Sequence, residues 1–173
     1  ILVILHGGNE HYPLPNPEFK KLCRHIIDLG VDAVVCHHTH FAGGFEEYNN
    51  KPIFYSLGNF IFDKKDRKPN YWYRGYFIKI FFNVSGSVKY ELFPYKQFDK
   101  EPKIELLEGL EKESYIEEIF NYNNVIDNND KLCEEWHKFL ELNSNMYLKK
   151  LYSPNRLQKF LHKLNLLSYT GSD

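Results

Sequence analysis

Two short apolar segments that flank an amphipathic helix are the feature that most constrains how this chain can fold. Residues 1–5 are continuously apolar, and residues 32–36 form a second segment typical of a buried strand. Between them, Asn16, Pro17 and Glu18 have the pattern of a helix start, and Gly30 is a typical helix end. A strand, a helix and a strand in this order predict a βαβ unit with parallel strands. The sequence therefore predicts an α/β fold.

Further strands and helices are predicted downstream of this unit. Segments typical of strands lie at 53–57, 76–84 and 87–95. The last two flank Ser85-Gly86, which indicates a hairpin, and residues 76–84 have apolar side chains on both faces, as an inner strand does. Helical spacing of apolar residues occurs at 110–121, 131–142 and 154–167, and the Asn-rich segment 121–130 is predicted to be a turn or loop. We therefore expect one domain at 1–98 and a helical extension, packed on it, at 99–173.

Charge, hydropathy and cysteine content exclude several classes of protein. Lys plus Arg is 22 and Asp plus Glu is 23, so the formal net charge is −1, which argues against binding nucleic acid by bulk electrostatics. No apolar stretch is long enough to span a bilayer. The three cysteines are too widely spaced for a disulfide framework or a zinc ribbon, and they fit a reducing compartment or buried free thiols.

Histidines are concentrated where the predicted strands end. His6 directly follows the first strand, and His37, His38 and His40 directly follow the second. Because the carboxyl ends of parallel strands meet at one edge of a sheet, we expect the two groups to lie close together. Neutral imidazole is a common metal ligand, and an H-x-H segment on an extended backbone places both rings on one side. The sequence therefore predicts a metal site formed by His6, His38 and His40. A hydrogen-bonded loop histidine is the simpler alternative for each residue taken alone, and the role of His11 stays open.

Three segments resemble, in order and spacing, motifs of the bacterial capsule-synthesis CapA proteins of the poly-γ-glutamate type. Residues 6–12 (HGGNEHY) resemble the H-W-G-x-E-Y segment of that family, and residues 32–40 (DAVVCHHTH) resemble its D-x-V-I-G-H-H-P-H segment. Residues 51–63 (KPIFYSLGNFIFD) resemble its I-x-Y-S-L-G-N-F-x-F-D segment. The family belongs to the calcineurin-like metallophosphoesterase superfamily. The resemblance implies that this chain is the C-terminal half of a four-layer α/β/β/α sandwich, followed by a helical extension.

The resemblance also implies a set of metal ligands. His6 corresponds to the lone late metal histidine of the superfamily, and His38 and His40 correspond to its closing G-H-x-H motif, with one histidine for each of two metals. The implied cofactors are divalent ions such as Mn, Zn, Fe or Mg. Cys36 and Thr39 stand where the family has Gly and Pro, and the superfamily's earlier ligand motifs do not precede His6. We therefore expect this chain alone to be unable to bind two metals.

Other residues are implied around the metals. Glu10 is expected to orient a ligand or to act as an acid or base, His37 to act at the substrate, and Asn59 to bind the substrate. The implied substrate is an anionic polymer or a phosphoester, with the capsule-synthesis machinery as a further partner and no nucleic acid. The chain contains one methionine, Met146, and it starts within an apolar run. We therefore expect it to be a piece of a larger protein or a chain whose start is missing.

These expectations lead to a function with two alternatives. We expect a CapA-like protein of capsular polymer synthesis whose full-length form hydrolyses phosphoester or amide bonds with divalent metals. The first alternative is a non-catalytic assembly or scaffold component that keeps the fold. The second is a mononuclear enzyme that uses only His6, His38 and His40, as zinc sites with three histidines do. The cysteines favour the cytoplasm, whereas members of the family are also tethered to the cell envelope.

Overall fold

The computed structural model describes residues 1–62, 69–98, 101, 103–152, 161 and 164, with the backbone alone at 145–152. The chain forms two compact units, Ile1–Trp136 and His137–Asp173. All of the site residues predicted above lie in the first unit. The predicted division of the chain at residue 98 stays a prediction about the limits of the family's domain.

The first sheet carries the predicted βαβ unit. Its four strands are β1 (Leu2–His6), β2 (Ala33–His37), β3 (Phe45–Tyr48) and β4 (Lys51–Phe54), in the spatial order β1-β2-β4-β3. β1 pairs with β2, and β2 with β4, in parallel, whereas β3 and β4 are antiparallel. Helix α1 (Pro17–Asp28) connects β1 to β2. The α/β class and the βαβ unit are therefore confirmed, while β3 was not predicted and the third predicted strand lies at 51–54 instead of 53–57.

Helix α1 begins and ends where its sequence indicates. The Asn16 side chain accepts a hydrogen bond from the Phe19 amide at 2.8 Å, and Pro17 occupies the first turn, where no amide hydrogen is needed. Gly30 follows the helix with a φ of +96°, a conformation that glycine adopts without strain. On the buried face, Cys23 packs against Cys36 of β2, with their Sγ atoms 3.7 Å apart. This contact fixes the helix on one face of the first sheet.

The second sheet contains the predicted hairpin and a third strand that was not predicted. Its antiparallel strands are β5 (Arg74–Phe82), β6 (Val88–Gln97) and β7 (Ile104–Leu106), in that spatial order. A short 3₁₀ helix at Asn70–Tyr73 precedes β5. Among the described strands β5 lies at the edge, so the expectation of an inner strand was wrong. Its apolar residues Phe77 and Phe81 remain partly exposed, and the central strand of this sheet is β6.

The two sheets and helix α2 share one hydrophobic core. Helix α2 (Gly109–Ile126) contributes Tyr115 and Ile119, which pack with Phe54 of the first sheet and Tyr76 of the second. Helix α3 (Asn129–Tyr152) follows after two residues, so the predicted loop at 121–130 was wrong for most of its length. The predicted helix at 154–167 lies outside the described residues, except for 161 and 164. Two facing sheets with helices against them form the part of the sandwich that the resemblance implied.

Candidate functional site

The carboxyl ends of β1 and β2 meet, as parallel pairing requires. His6 of β1 is the register partner of His37 of β2, and the Gly7 amide donates to the His37 carbonyl at 2.9 Å. Farther along the two loops, the His11 amide donates to the carbonyl of Thr39 at 2.8 Å. These backbone hydrogen bonds hold the two histidine-bearing loops side by side at one edge of the sheet.

His6 and His38 contact each other directly at this edge. Nε2 of His6 lies 3.0 Å from Nδ1 of His38, with the ring centroids 4.8 Å apart. Without an ion between them, this contact is a hydrogen bond in which one of the two rings carries the proton. In octahedral coordination, two neighbouring nitrogens that are each about 2.1 Å from the ion lie about 3.0 Å apart, whereas in tetrahedral coordination they lie about 3.4 Å apart. The observed separation of 3.0 Å therefore fits two neighbouring ligands of one octahedral ion.

His40 lies on the other side of His38, with their ring centroids 6.4 Å apart. Its Nδ1 is 2.8 Å from Oδ1 of Asn59, and its ring stacks on Trp72 with centroids 4.9 Å apart and an interplanar angle of 25°. In the part of the chain that the structure describes, no group of three or more His, Cys, Asp or Glu side chains is arranged to hold an ion. The structure thus brings His6 together with His38 and holds His40 separately.

The two predicted catalytic residues occupy different surroundings. His37 is half-buried, and burial together with the nearby charge of His6 lowers the pKa of its imidazole below the usual range. This shift favours the neutral ring. Glu10 lies exposed in the loop after β1, and its predicted role, like that of His37, stays a prediction.

Asn59 is buried, with 6% of its surface exposed, although the sequence suggested a substrate-binding residue. Its Nδ2 donates to the backbone carbonyl of Trp72 at 3.2 Å, and the backbone carbonyl of Asn59 accepts from the Tyr95 hydroxyl at 2.7 Å. Asn59 therefore lies buried against the His40 ring, and its predicted role in binding the substrate stays a prediction.

Three residues near His40 were missed or left open by the sequence reasoning. The His11 ring stacks near that of His40, with centroids 6.1 Å apart, and its Nδ1 lies 3.3 Å from the Tyr71 hydroxyl. Trp72 covers the ring of His40, as described above. The sequence signal for Tyr71 and Trp72 is the aromatic run at 71–73, which lies two residues before the strand predicted at 76–84. The distance along the chain hides this contact, because about thirty residues separate His40 from the aromatic run.

Comparison with known proteins points to one family. Residues 1–64 match the family model described as bacterial capsule synthesis protein PGA_cap. The chain is 29% identical over 147 residues to the PGA biosynthesis protein CapA of Bacillus subtilis (strain 168), which covers 76% of this chain and 37% of that protein. It is 41% identical over 64 residues to the capsule biosynthesis protein CapA of Bacillus anthracis, which covers 37% of this chain and 16% of that protein. The chain thus spans little more than a third of the first relative.

Among the helices that the structure describes, none combines the length and the apolar character that a membrane span requires.

Proposed function

We propose that this chain, whose residues 1–64 match the family model of bacterial capsule synthesis proteins, supplies part of a divalent-metal site that hydrolyses phosphoester or amide bonds during capsular polymer synthesis. The polymer is poly-γ-glutamate or a polysaccharide. The observation that carries the proposal is the 3.0 Å separation of Nε2 of His6 and Nδ1 of His38. These nitrogens come from loops after two different strands, and they converge at the edge of a parallel sheet where α/β proteins bind ligands.

The residues have distinct proposed tasks. His6 and His38 hold one divalent ion, and His40 contributes to a second through its Nε2. A bound ion of this kind polarises the bond to be broken and lowers the pKa of a bound water. His37, neutral at physiological pH because burial lowers its pKa, contacts the substrate beside His38. Glu10, in the exposed loop after β1, orients a ligand or transfers a proton. The anionic substrate approaches from this side of the sheet.

The first test is metal analysis with activity on the complete gene product that contains this chain. We expect bound divalent metal and hydrolysis of a generic phosphodiester, with both reduced at least tenfold in His6→Ala and His38→Ala, since each substitution removes a ligand. The matched control is His25→Ala, which changes an exposed histidine on α1 and is expected to leave both quantities unchanged. A protein that binds no metal, or whose metal content survives both substitutions, contradicts the proposal.

The same variants distinguish the proposed hydrolase from a scaffold. If polymer synthesis in cells survives His6→Ala and His40→Ala while the proteins stay folded, the chain acts as an assembly component and the hydrolase proposal is wrong. For the isolated 173-residue chain, we expect at most one bound ion. His6 and His38 form a single pair of ligands, and His40 lies apart from them.

A further inference from the structure

We infer that Asn59 is a positioning residue, which fixes the protonation form and the orientation of the His40 ring so that Nε2 carries the lone pair offered to a ligand. The inference deepens the proposed function and rests on it for the identity of that ligand, a divalent cation. The hydrogen bonding around Asn59 can be tested without any metal. The sequence had suggested a different task for Asn59, that of contacting the substrate.

The direction of the Asn59 amide follows from its second partner. The backbone carbonyl of Trp72 can only accept a hydrogen bond, so the amide atom 3.2 Å from it is the NH₂ group. The other end, Oδ1, therefore faces His40, where it lies 2.8 Å from Nδ1. Because an amide oxygen can only accept, Nδ1 of His40 carries the proton. In the neutral ring the lone pair is then on Nε2.

Two aromatic side chains hold the orientation of the His40 ring. Trp72 stacks on one side, with centroids 4.9 Å apart, and Phe62 meets the ring edge-on at 5.3 Å and 81°. These aromatic contacts restrict rotation of the ring about the bond that joins it to Cβ. They are the same whether the proton is on Nδ1 or on Nε2. The hydrogen bond to Asn59 is the contact that selects between the two forms.

Asn59 is itself fixed by the central strand of the second sheet. The Tyr95 hydroxyl donates to the backbone carbonyl of Asn59 at 2.7 Å. Gln97 donates to the same Trp72 carbonyl at 2.9 Å, and its Oε1 accepts from the Phe62 amide, also at 2.9 Å. The Trp72 carbonyl thus uses both of its lone pairs. Strand β6 therefore holds both the Asn59 backbone and the Trp72 carbonyl to which the Asn59 amide donates.

The comparison of two substitutions at residue 59 separates positioning from simple structural support. Asn59→Leu removes both the acceptor for His40 and the donor to Trp72. Asn59→Asp keeps an acceptor for His40 at nearly the same size but also removes the donor to Trp72. If Asn59 matters only through Trp72, the two variants behave alike. If it positions His40, aspartate preserves the Nδ1-protonated form and leucine does not. Gln97→Leu is the control, because it removes a bond to the same carbonyl and leaves the pair of Asn59 and His40 in place.

The experiment is nitrogen NMR of the 173-residue chain with labelled histidine at pH ~8, where an ordinary imidazole is neutral, followed by titration with Zn²⁺. We expect the Nδ1-protonated form of His40 in the wild type, in Asn59→Asp and in Gln97→Leu, and a mixture of forms in Asn59→Leu. We expect the Zn²⁺ affinity read from the His40 signal to fall about 10–100-fold in Asn59→Leu, as for other groups that orient a metal-binding histidine. The inference is overturned if wild-type His40 is protonated on Nε2, if Asn59→Leu keeps the wild-type form, or if the leucine and aspartate variants agree. A wild-type His40 signal that ignores Zn²⁺ refutes the proposed metal role instead, and the comparison of protonation forms still decides the task of Asn59.

Discussion

Replacing Glu46 with leucine is expected to lower the free energy of unfolding by about 2–4 kcal/mol, although leucine is more apolar than glutamate. Glu46 lies on β3 with only 4% of its surface exposed. Its carboxylate accepts two hydrogen bonds from the guanidinium of Arg24 on α1 and one from the Tyr55 hydroxyl. The hydrogen bond to Glu46 raises the pKa of Arg24, and burial together with the charge of Glu46 raises the pKa of Tyr55 well above its usual range. The carboxylate thus joins a helix and two segments of the first sheet.

The magnitude follows from the groups that the substitution leaves behind. A buried hydroxyl that loses its acceptor costs about 1–3 kcal/mol. Breaking a fully buried ion pair costs about 3–5 kcal/mol, but 32% of the Arg24 side chain is exposed, so water compensates part of this and about 2 kcal/mol remains. The added apolar burial of leucine offsets about 1 kcal/mol. The sum is about 2–4 kcal/mol.

Replacing the two side chains that lose their acceptor, Arg24 and Tyr55, tests this explanation. We expect Arg24→Met with Glu46→Leu to be more stable than Glu46→Leu alone, and the further change Tyr55→Phe to recover most of the remaining loss. The assay is urea unfolding followed by circular dichroism, with the slope against urea concentration compared between variants to verify that the same surface is exposed. Arg24→Met alone is measured as well. If the double variant loses as much free energy of unfolding as Glu46→Leu and Arg24→Met lose together, unpaired groups are not the cause of the destabilisation and the reasoning is wrong.

Three further predictions concern other buried groups of the first unit. Asn123→Leu removes the acceptor of the buried Phe45 amide, 2.7 Å away, so the free energy of unfolding by urea should fall by about 1–3 kcal/mol, and an unchanged value would show that the amide finds another partner. A Cβ at Gly75 would clash with the Tyr95 hydroxyl oxygen, so Gly75→Ala should destabilise by about 1–3 kcal/mol, and a melting temperature at or above that of the wild type would contradict this. Burial raises the pKa values of Tyr76 and Tyr95 above their unfolded value of about 10. Their contribution to stability is therefore complete below pH ~10 and is lost as the pH rises above it, and tyrosinate absorbance should increase for these residues together with the loss of far-ultraviolet circular dichroism, not before it.

The βαβ unit was predictable because its signals are local. The cap at Asn16, the proline that follows it and the glycine at the end of α1 each act within one helical turn. Parallel pairing then required the loops after β1 and β2 to meet, and this was enough to anticipate that His6 would lie near the histidines after β2. Residues that meet at the ends of parallel strands can thus be predicted from sequence when the apolar segments and helix caps identify the strands and the helix between them.

The strands that the sequence reasoning missed lack such signals. β3 has four residues, and its buried Glu46 is a residue type that is rarely buried unless it is paired. β7 has only three residues. The exposed Phe77 and Phe81 made β5 resemble an inner strand, because apolar residues on both faces of a strand do not reveal whether both faces are covered. In each of these cases the deciding contacts come from distant parts of the chain.

The two halves of the proposed metal site therefore depend on different parts of the molecule. The pair of His6 and His38 depends on the register of β1 with β2, which the backbone hydrogen bonds between the two loops extend. His40 depends on β6, because Tyr95 and Gln97 fix the groups that hold its ring. Both His38 and His40 have positive φ angles, 121° and 60°, and such conformations persist in non-glycine residues only where surrounding contacts enforce them. A substitution in β6 should consequently disturb His40 while leaving the contact between His6 and His38 intact, and a shift of β1 should do the opposite.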